Sequence, residues 1–267
     1  RGTIVLRMRT AIRLIVASFV VFGLVATACS DESDTTPATG SAIAGAVVVF
    51  AASSLTEAFT EMADAFAADH PDANLTFNFA GSGDLFTQIS EGAPADVFVS
   101  ADAANMTRLT DAALNAGAPV TIARNTFEII VEPGNPQAIT GLTDLADPNL
   151  IVVLCADTVP CGKGAQQVLA NAGITLTPKS LEDKVKGVVT KVTAGEADAG
   201  IVFVTDVNAA GNTAEGVQIP AAVNVISEYP AVITKDAPNP AAAQAFVEFV
   251  AGPAGQAILA TYGFLAP

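Results

Sequence analysis

The sequence predicts an α/β fold with mainly parallel sheets, and three observations carry that prediction. Short apolar runs that read as strands alternate with segments whose apolar residues recur at helical spacing. Several of these runs end in a small-residue turn that opens the next helix, the order expected of βαβ units. The chain has 267 residues, more than one core comfortably organises, so one large or two smaller domains follow.

The first unit opens with a strand at Val47 to Phe50 and turns through Ala51 and Ala52. Ser53 and Ser54 stand where a helix N-cap belongs, and Glu57 lies three residues beyond Ser54, the spacing of a capping box. Leu55, Phe59, Met62 and Phe66 mark the buried stripe of that helix, which ends at His70-Pro71. Asn74 to Phe79 alternates as a strand, Ala80-Gly81-Ser82-Gly83 is a turn, and Asp84 to Ser90 begins a short helix. Val97 to Val99 is a strand, and Asp102 to Leu114 is a helix broken by Gly117 to Pro119. Phe127 to Val131 is a strand closed by the breaker Glu132-Pro133-Gly134-Asn135-Pro136. A second unit follows, with a strand at Leu150 to Leu154, helices at Lys163 to Asn171 and Asp183 to Thr193, and a strand at Ala199 to Val204. Tyr229 to Thr234 is another strand. Pro238 and Pro240 open a helix with Ala243, Phe246, Val247 and Val250 on one face, and Gly252 to Phe264 closes the chain.

Composition excludes some partners. The chain holds 12 basic and 27 acidic residues, a net charge of −15. Arg1, Arg7, Arg9 and Arg13 precede Cys29 in a segment without an acid, so the remainder is more acidic still. Such a surface excludes a nucleic-acid partner or binding to an anionic membrane surface by charge.

The N-terminal segment reads as an export signal. Met8 is the expected start, Arg9 and Arg13 give a positive region, and Leu14 to Ala28 is an unbroken apolar and small-residue run. That run is short for a membrane span and right for a secretory signal. Ala26-Thr27-Ala28-Cys29 resembles a bacterial lipobox, which makes residues 1–28 a lipoprotein signal peptide and Cys29 the lipidated residue. Plain cleavage or an uncleaved anchor are the alternatives. Ser30 to Ser41 is polar and without periodicity, so 29–44 is expected to be a flexible tether holding the protein at the outer face of the cytoplasmic membrane. In that oxidising compartment Cys155 and Cys161, six residues apart, form either a disulfide or two buried thiols. Zinc needs more ligands than these two and the single His70 offer.

Four loops share one format of strand end, small-residue turn and helix start: Ala52-Ser53-Ser54, Gly81-Ser82-Gly83, Pro160-Cys161-Gly162, and Glu182 to Val185. Helix N-termini present free N–H groups with partial positive charge, so an anion is the expected visitor. Ligands of open α/β sheets bind beyond the carboxyl ends of the strands, where these loops lie. Each loop alone also fits an ordinary turn. Enzyme readings lack parts: His70 stands at the far end of its helix, neither Ser54 nor Ser82 lies in a G-x-S-x-G elbow, and Gly162-Lys163-Gly164 is not a phosphate-binding loop.

The motifs VVVFAASSLTEAF, FNFAGSGDLFTQISEGAPADVFVSAD, VPCGKGAQQVL, GIVFVTD, EYPAVIT and GPAGQAILATYGF resemble, in this order, the periplasmic molybdate-binding proteins of ABC-type uptake systems. The resemblance spans Val47 to Phe264. It implies a monomeric, two-lobed periplasmic binding fold of type II, each lobe a mainly parallel sheet flanked by helices. Crossover strands would be Thr126 to Val131 and Tyr229 to Thr234. One lobe would comprise 45–125 plus 235–267, the other 126–234. Carried over by motif, Ser54 and Ser82 would offer hydroxyl and backbone N–H groups to an oxyanion, and Cys161 and Val185 backbone N–H groups. The family's fifth contact is a Tyr hydroxyl where this chain has Phe203, so water, a neighbour such as Thr205, or a weaker site takes its place. The resemblance further implies a lipoprotein, without cofactor or catalysis, that captures molybdate or tungstate and delivers it to an ABC transporter permease. Sulfate or another small anion on the same fold is the nearest alternative, and an exported serine hydrolase a remoter one. A fully deprotonated tetrahedral anion can be held by neutral donors alone, whereas hydrogen phosphate would bring a proton with no acceptor.

Overall fold

The computed structural model describes residues 43–267. The expected signal peptide (1–28), the lipidated Cys29 and the tether as far as residue 42 lie outside the described residues. Ile43 packs against the core, and the carbonyl of Ala44 accepts a hydrogen bond from Asn239 Nδ2 at 2.8 Å.

Two five-stranded sheets organise the chain. In the first, β1 (Gly45–Ala52) lies between β2 (Ala73–Ala80) and β3 (Val97–Val99) and runs parallel to both. The strand β10 (Ser227–Thr234) joins β3 antiparallel, and β4 (Asn115–Asn125) joins β10 antiparallel. In the second sheet β6 (Val152–Cys155) runs parallel to β7 (Ser180–Glu182) and β8 (Ala199–Phe203). There β5 (Phe127–Val131) pairs antiparallel with β8 and with β9 (Glu215–Gln218). Only β10 in the first sheet and β5 in the second therefore run against the other four strands of their sheets.

That topology corrects one expected boundary. The chain leaves the first sheet between Asn125 and Phe127, as the motifs implied, but it returns before Ser227, because Val97 to Val99 of β3 pair with Ile233 to Ala231 of β10. Residues 227–234 belong to the first lobe, and the strands nearest the crossings stay within single sheets. The two passages between the sheets are tied together: Asn224 Oδ1 accepts from the Phe127 N–H at 3.0 Å, and its Nδ2 donates to the Phe127 carbonyl at 2.8 Å.

The helix α1 (Thr56–Asp69) forms because Ala58, Phe59, Met62 and Phe66 fall on one face and are buried. Phe59 and Phe66 meet Phe246 of α7 (Pro240–Ala251) edge-on at 5.7 and 5.6 Å, which seats the C-terminal helices on the first lobe. Each such buried side chain contributes about 1.5–3 kcal/mol. Behind α7, α8 (Pro253–Thr261) completes this layer.

Two helices start nearer the ends of their preceding strands than sequence spacing suggests: α2 (Ser82–Ser90) and α4 (Pro160–Ala172). The helix α5 (Val185–Thr193) starts two residues later. A further correction concerns Asp102 to Leu114, where α3 (Ala103–Asp111) is shorter and β4 begins at Asn115. Gly117 and Pro119 lie inside β4, an edge strand, where an absent N–H costs no ladder bond. Finally, α6 (Val204–Ala210) follows β8 without a loop.

Candidate functional site

The carboxyl end of β1 delivers Ser53 to Leu55 as a single 3-10 turn leading into α1. The expected capping box does not form. Ser54 makes no cap bond; its Oγ lies 2.9 Å from the Tyr229 hydroxyl of β10. Thr56 Oγ1 donates to the Ser53 carbonyl at 2.7 Å, and the Glu57 carboxylate faces the other lobe. A buried tyrosine hydroxyl has outcompeted the local cap, because a phenol left unpaired in the core would forfeit its hydration.

Ser82 is the first residue of α2, and its Oγ accepts from the Ala101 N–H at 3.1 Å. Pro160 opens α4, so Cys161 sits in the first turn, where backbone N–H groups lack intrahelical partners. Cys155 and Cys161 are joined by a disulfide across a separation of six residues. Val185 opens α5 and is buried. Phe203 ends β8, buried against Phe127 at 4.6 Å and Tyr229 at 5.8 Å between ring centroids.

These five positions, Ser54, Ser82, Cys161, Val185 and Phe203, line one cavity. Ser54 and Ser82 come from the first sheet's lobe, and the other three from the second. Thr205, one candidate for the missing tyrosine hydroxyl, is not among the lining residues; it is buried and accepts from Asn125 Nδ2 at 2.8 Å. Lys184, the N-cap of α5, is the charged residue of the lining. His70 packs on Phe66 at the C-terminal end of α1, so the side chain beside Ser54 is a phenol rather than an imidazole base.

The lobes touch across this cavity. A Cβ added to Gly81 would stand 2.6 Å from the Asp183 carbonyl oxygen and 3.2 Å from Val159 Cγ1. Lys186 of α5 holds both carboxylate oxygens of Glu57 of α1, at 2.9 and 2.8 Å, and stands 3.1 Å from Asp206 Oδ1. Lys163 reaches Asp102 at 3.4 Å. Sequence reading missed Tyr229, Glu57's partner Lys186, and Asp206. Tyr229 was visible only as a strand residue of EYPAVIT, and long-range ion pairs leave no local signal.

Asp206 is fully buried, and neither oxygen has an aligned hydrogen-bond donor, although Lys186 pairs with it by charge. Burial pushes its carboxyl from 3.8 up to about 6, against the pull of Lys186. Below pH 3.8 the group is protonated in both folded and unfolded chains and has no effect on stability. As pH rises toward about 6 the unfolded chain ionises first, so folding is increasingly penalised. Asp206→Asn should flatten the melting temperature against pH in that window. Parallel profiles for the two proteins would show that Asp206 does not titrate there.

Comparison with known proteins adds an independent line. The family model described as bacterial extracellular solute-binding protein matches residues 47–265. The molybdate-binding protein ModA of Mycobacterium tuberculosis (strain ATCC 25618 / H37Rv) is 41% identical over 254 residues, 95% of this chain and 97% of the relative. The molybdate-binding protein ModA of Escherichia coli (strain K12) is 31% identical over 237 residues, 84% of this chain and 91% of the relative. The solved Azotobacter vinelandii periplasmic molybdate-binding protein superposes with a TM-score of 0.69 at 24% identity, covering 83% of this chain and 99% of that one.

Proposed function

The chain belongs to the bacterial extracellular solute-binding proteins, and from that membership we propose that it captures molybdate between its lobes and delivers it to an ABC transporter. The observation that carries this reading is that Ser54 and Ser82 line one cavity together with Cys161 and Val185, residues of the first turns of α4 and α5. In this reading the two serines donate through hydroxyl and backbone N–H, and Cys161 and Val185 through backbone N–H. Four helix or turn starts bordering one cavity, with Lys184 as the one charged residue of its lining, suit a dianion.

Phe203 contributes a wall and no donor. Tungstate, with the same charge and shape, is the second expected ligand. The protein acts by binding, with no cofactor and no catalysis. Binding closes the lobes about the paired passages at Asn125 to Phe127 and 219–226, and the Cys155–Cys161 disulfide braces the loop that presents the Cys161 amide. A lipid on Cys29 holds this monomer to the outer face of the membrane, near its permease.

Calorimetric titration with molybdate, tungstate, sulfate and phosphate tests the reading. Saturable binding of the first two is expected, and sulfate binding more tightly than molybdate would reassign the ligand. Ser54→Ala should weaken molybdate binding by roughly 1.5–3 kcal/mol, the range for a hydrogen bond to a charged group. Unchanged affinity would take Ser54 out of the site.

A further inference from the structure

Behind Ser54 runs a chain of hydrogen bonds whose direction is fixed at its far end. Asn125 is fully buried, and its Oδ1 accepts from the Thr126 backbone N–H at 2.9 Å. Its amide nitrogen must therefore face the other way, and it donates to Thr205 Oγ1 at 2.8 Å and, at the long limit of 3.5 Å, to the Tyr229 hydroxyl oxygen. Tyr229, receiving a proton there, has its own O–H to give, and its remaining partner is Ser54 Oγ at 2.9 Å. Distance alone would let either oxygen donate across this contact; the phenol O–H has no other partner, which assigns Ser54 Oγ the accepting role and leaves its own proton free for the cavity that Ser54 lines. Burial raises the Tyr229 phenol above its ordinary value, so the group stays a neutral donor. Ser82 has the same arrangement with a shorter lever: its Oγ accepts from the Ala101 N–H, so its proton too is left for the cavity.

We propose that Tyr229, oriented by Asn125, is a specificity-determining positioning residue that takes up one lone pair of Ser54 and biases its hydroxyl to donate, so that the site favours fully deprotonated oxyanions over those carrying a proton. Tyr229 touches no ligand in this arrangement; it acts through Ser54. A serine hydroxyl has two lone pairs, and without the phenol it could turn its own proton inward and offer both to the proton of hydrogen phosphate; receiving the phenol proton takes up one of them and frees the serine's own O–H for the cavity. The inference rests on the oxyanion reading above and adds the residue that enforces it.

The test is a double-mutant cycle on the full chain, read by calorimetry with molybdate and with inorganic phosphate near neutral pH. Tyr229→Phe removes one oxygen and keeps the ring that packs on Phe203 and Phe264. Molybdate affinity should fall about 3- to 20-fold in the native background, and change less than 2-fold in the Ser54→Ala background, where nothing remains to orient. The ratio of molybdate to phosphate affinity should fall by at least as much, a change that mere loosening of the core would not produce. An equal loss in both backgrounds, or an unchanged ratio, would overturn the proposal while leaving molybdate capture intact. Failure of the native protein to bind molybdate would instead remove the capture reading, and this inference with it.

Discussion

Gly81→Ala is expected to leave the protein folded and to deprive it of most of its affinity for molybdate. The backbone at Gly81 is extended, with φ −63° and ψ 137°, a conformation that alanine adopts freely. Nothing within the first lobe opposes the methyl group at short range; the contacts under 3.4 Å are the Asp183 carbonyl and Val159, both from the other lobe. The collision exists only when the lobes meet. Relief requires the lobes to stand apart by several tenths of an ångström, which draws the Cys161 and Val185 amides away from the serines together. Overpacking of this kind costs about 1–3 kcal/mol, so affinity should fall by about 5- to 150-fold. The melting temperature of the unliganded protein should hold or rise slightly, since alanine restricts the unfolded chain. A titration that matched the unsubstituted protein would show that the lobes do not close as described.

Gly162→Ala has the opposite signature, a loss of stability before any question of binding. Its Cβ would lie 1.9 Å from the Ala156 carbonyl oxygen and 2.7 Å from that of Cys155, and both obstacles are backbone. They cannot yield easily. The Cys155–Cys161 disulfide closes the loop, the Ala156 N–H is bonded to the Glu182 carbonyl at 2.8 Å, and the Val159 N–H to Ala156 at 3.2 Å. We expect a cost of about 3 kcal/mol or more, beyond the usual range for a surface change. For a folded unit of this size that lowers the melting temperature by about 6–12 °C. A drop under 2 °C by calorimetry would mean that the loop has room for the added methyl group.

Much of this was legible in the chain. The strands Val97 to Val99 and Phe127 to Val131 were readable to the residue, because continuous apolar runs bounded by turns have few other uses. The five expected site residues that the structure places in the cavity lining followed from motif resemblance rather than from periodicity, since nothing local distinguishes a ligand-binding serine from a capping one. Ser54 illustrates the difficulty: its capping-box spacing is genuine, yet the side chain turns to a tyrosine 175 positions away. The strand β4 hid behind Gly117 and Pro119, which read as breakers unless the strand is known to lie at an edge. Assignment of β10 to the first sheet depends on pairing with β3 across about half the chain, information that no window of sequence contains.

The stitch of Asn224 to both backbone groups of Phe127 has a mechanical consequence. Two independent straps would let the halves shear and twist as well as swing. Fastened side by side, they leave one soft direction of travel, about a single pin. If the lobes close on a ligand as proposed, thermal agitation is spent along that arc, and each swing returns the facing residues to the same register.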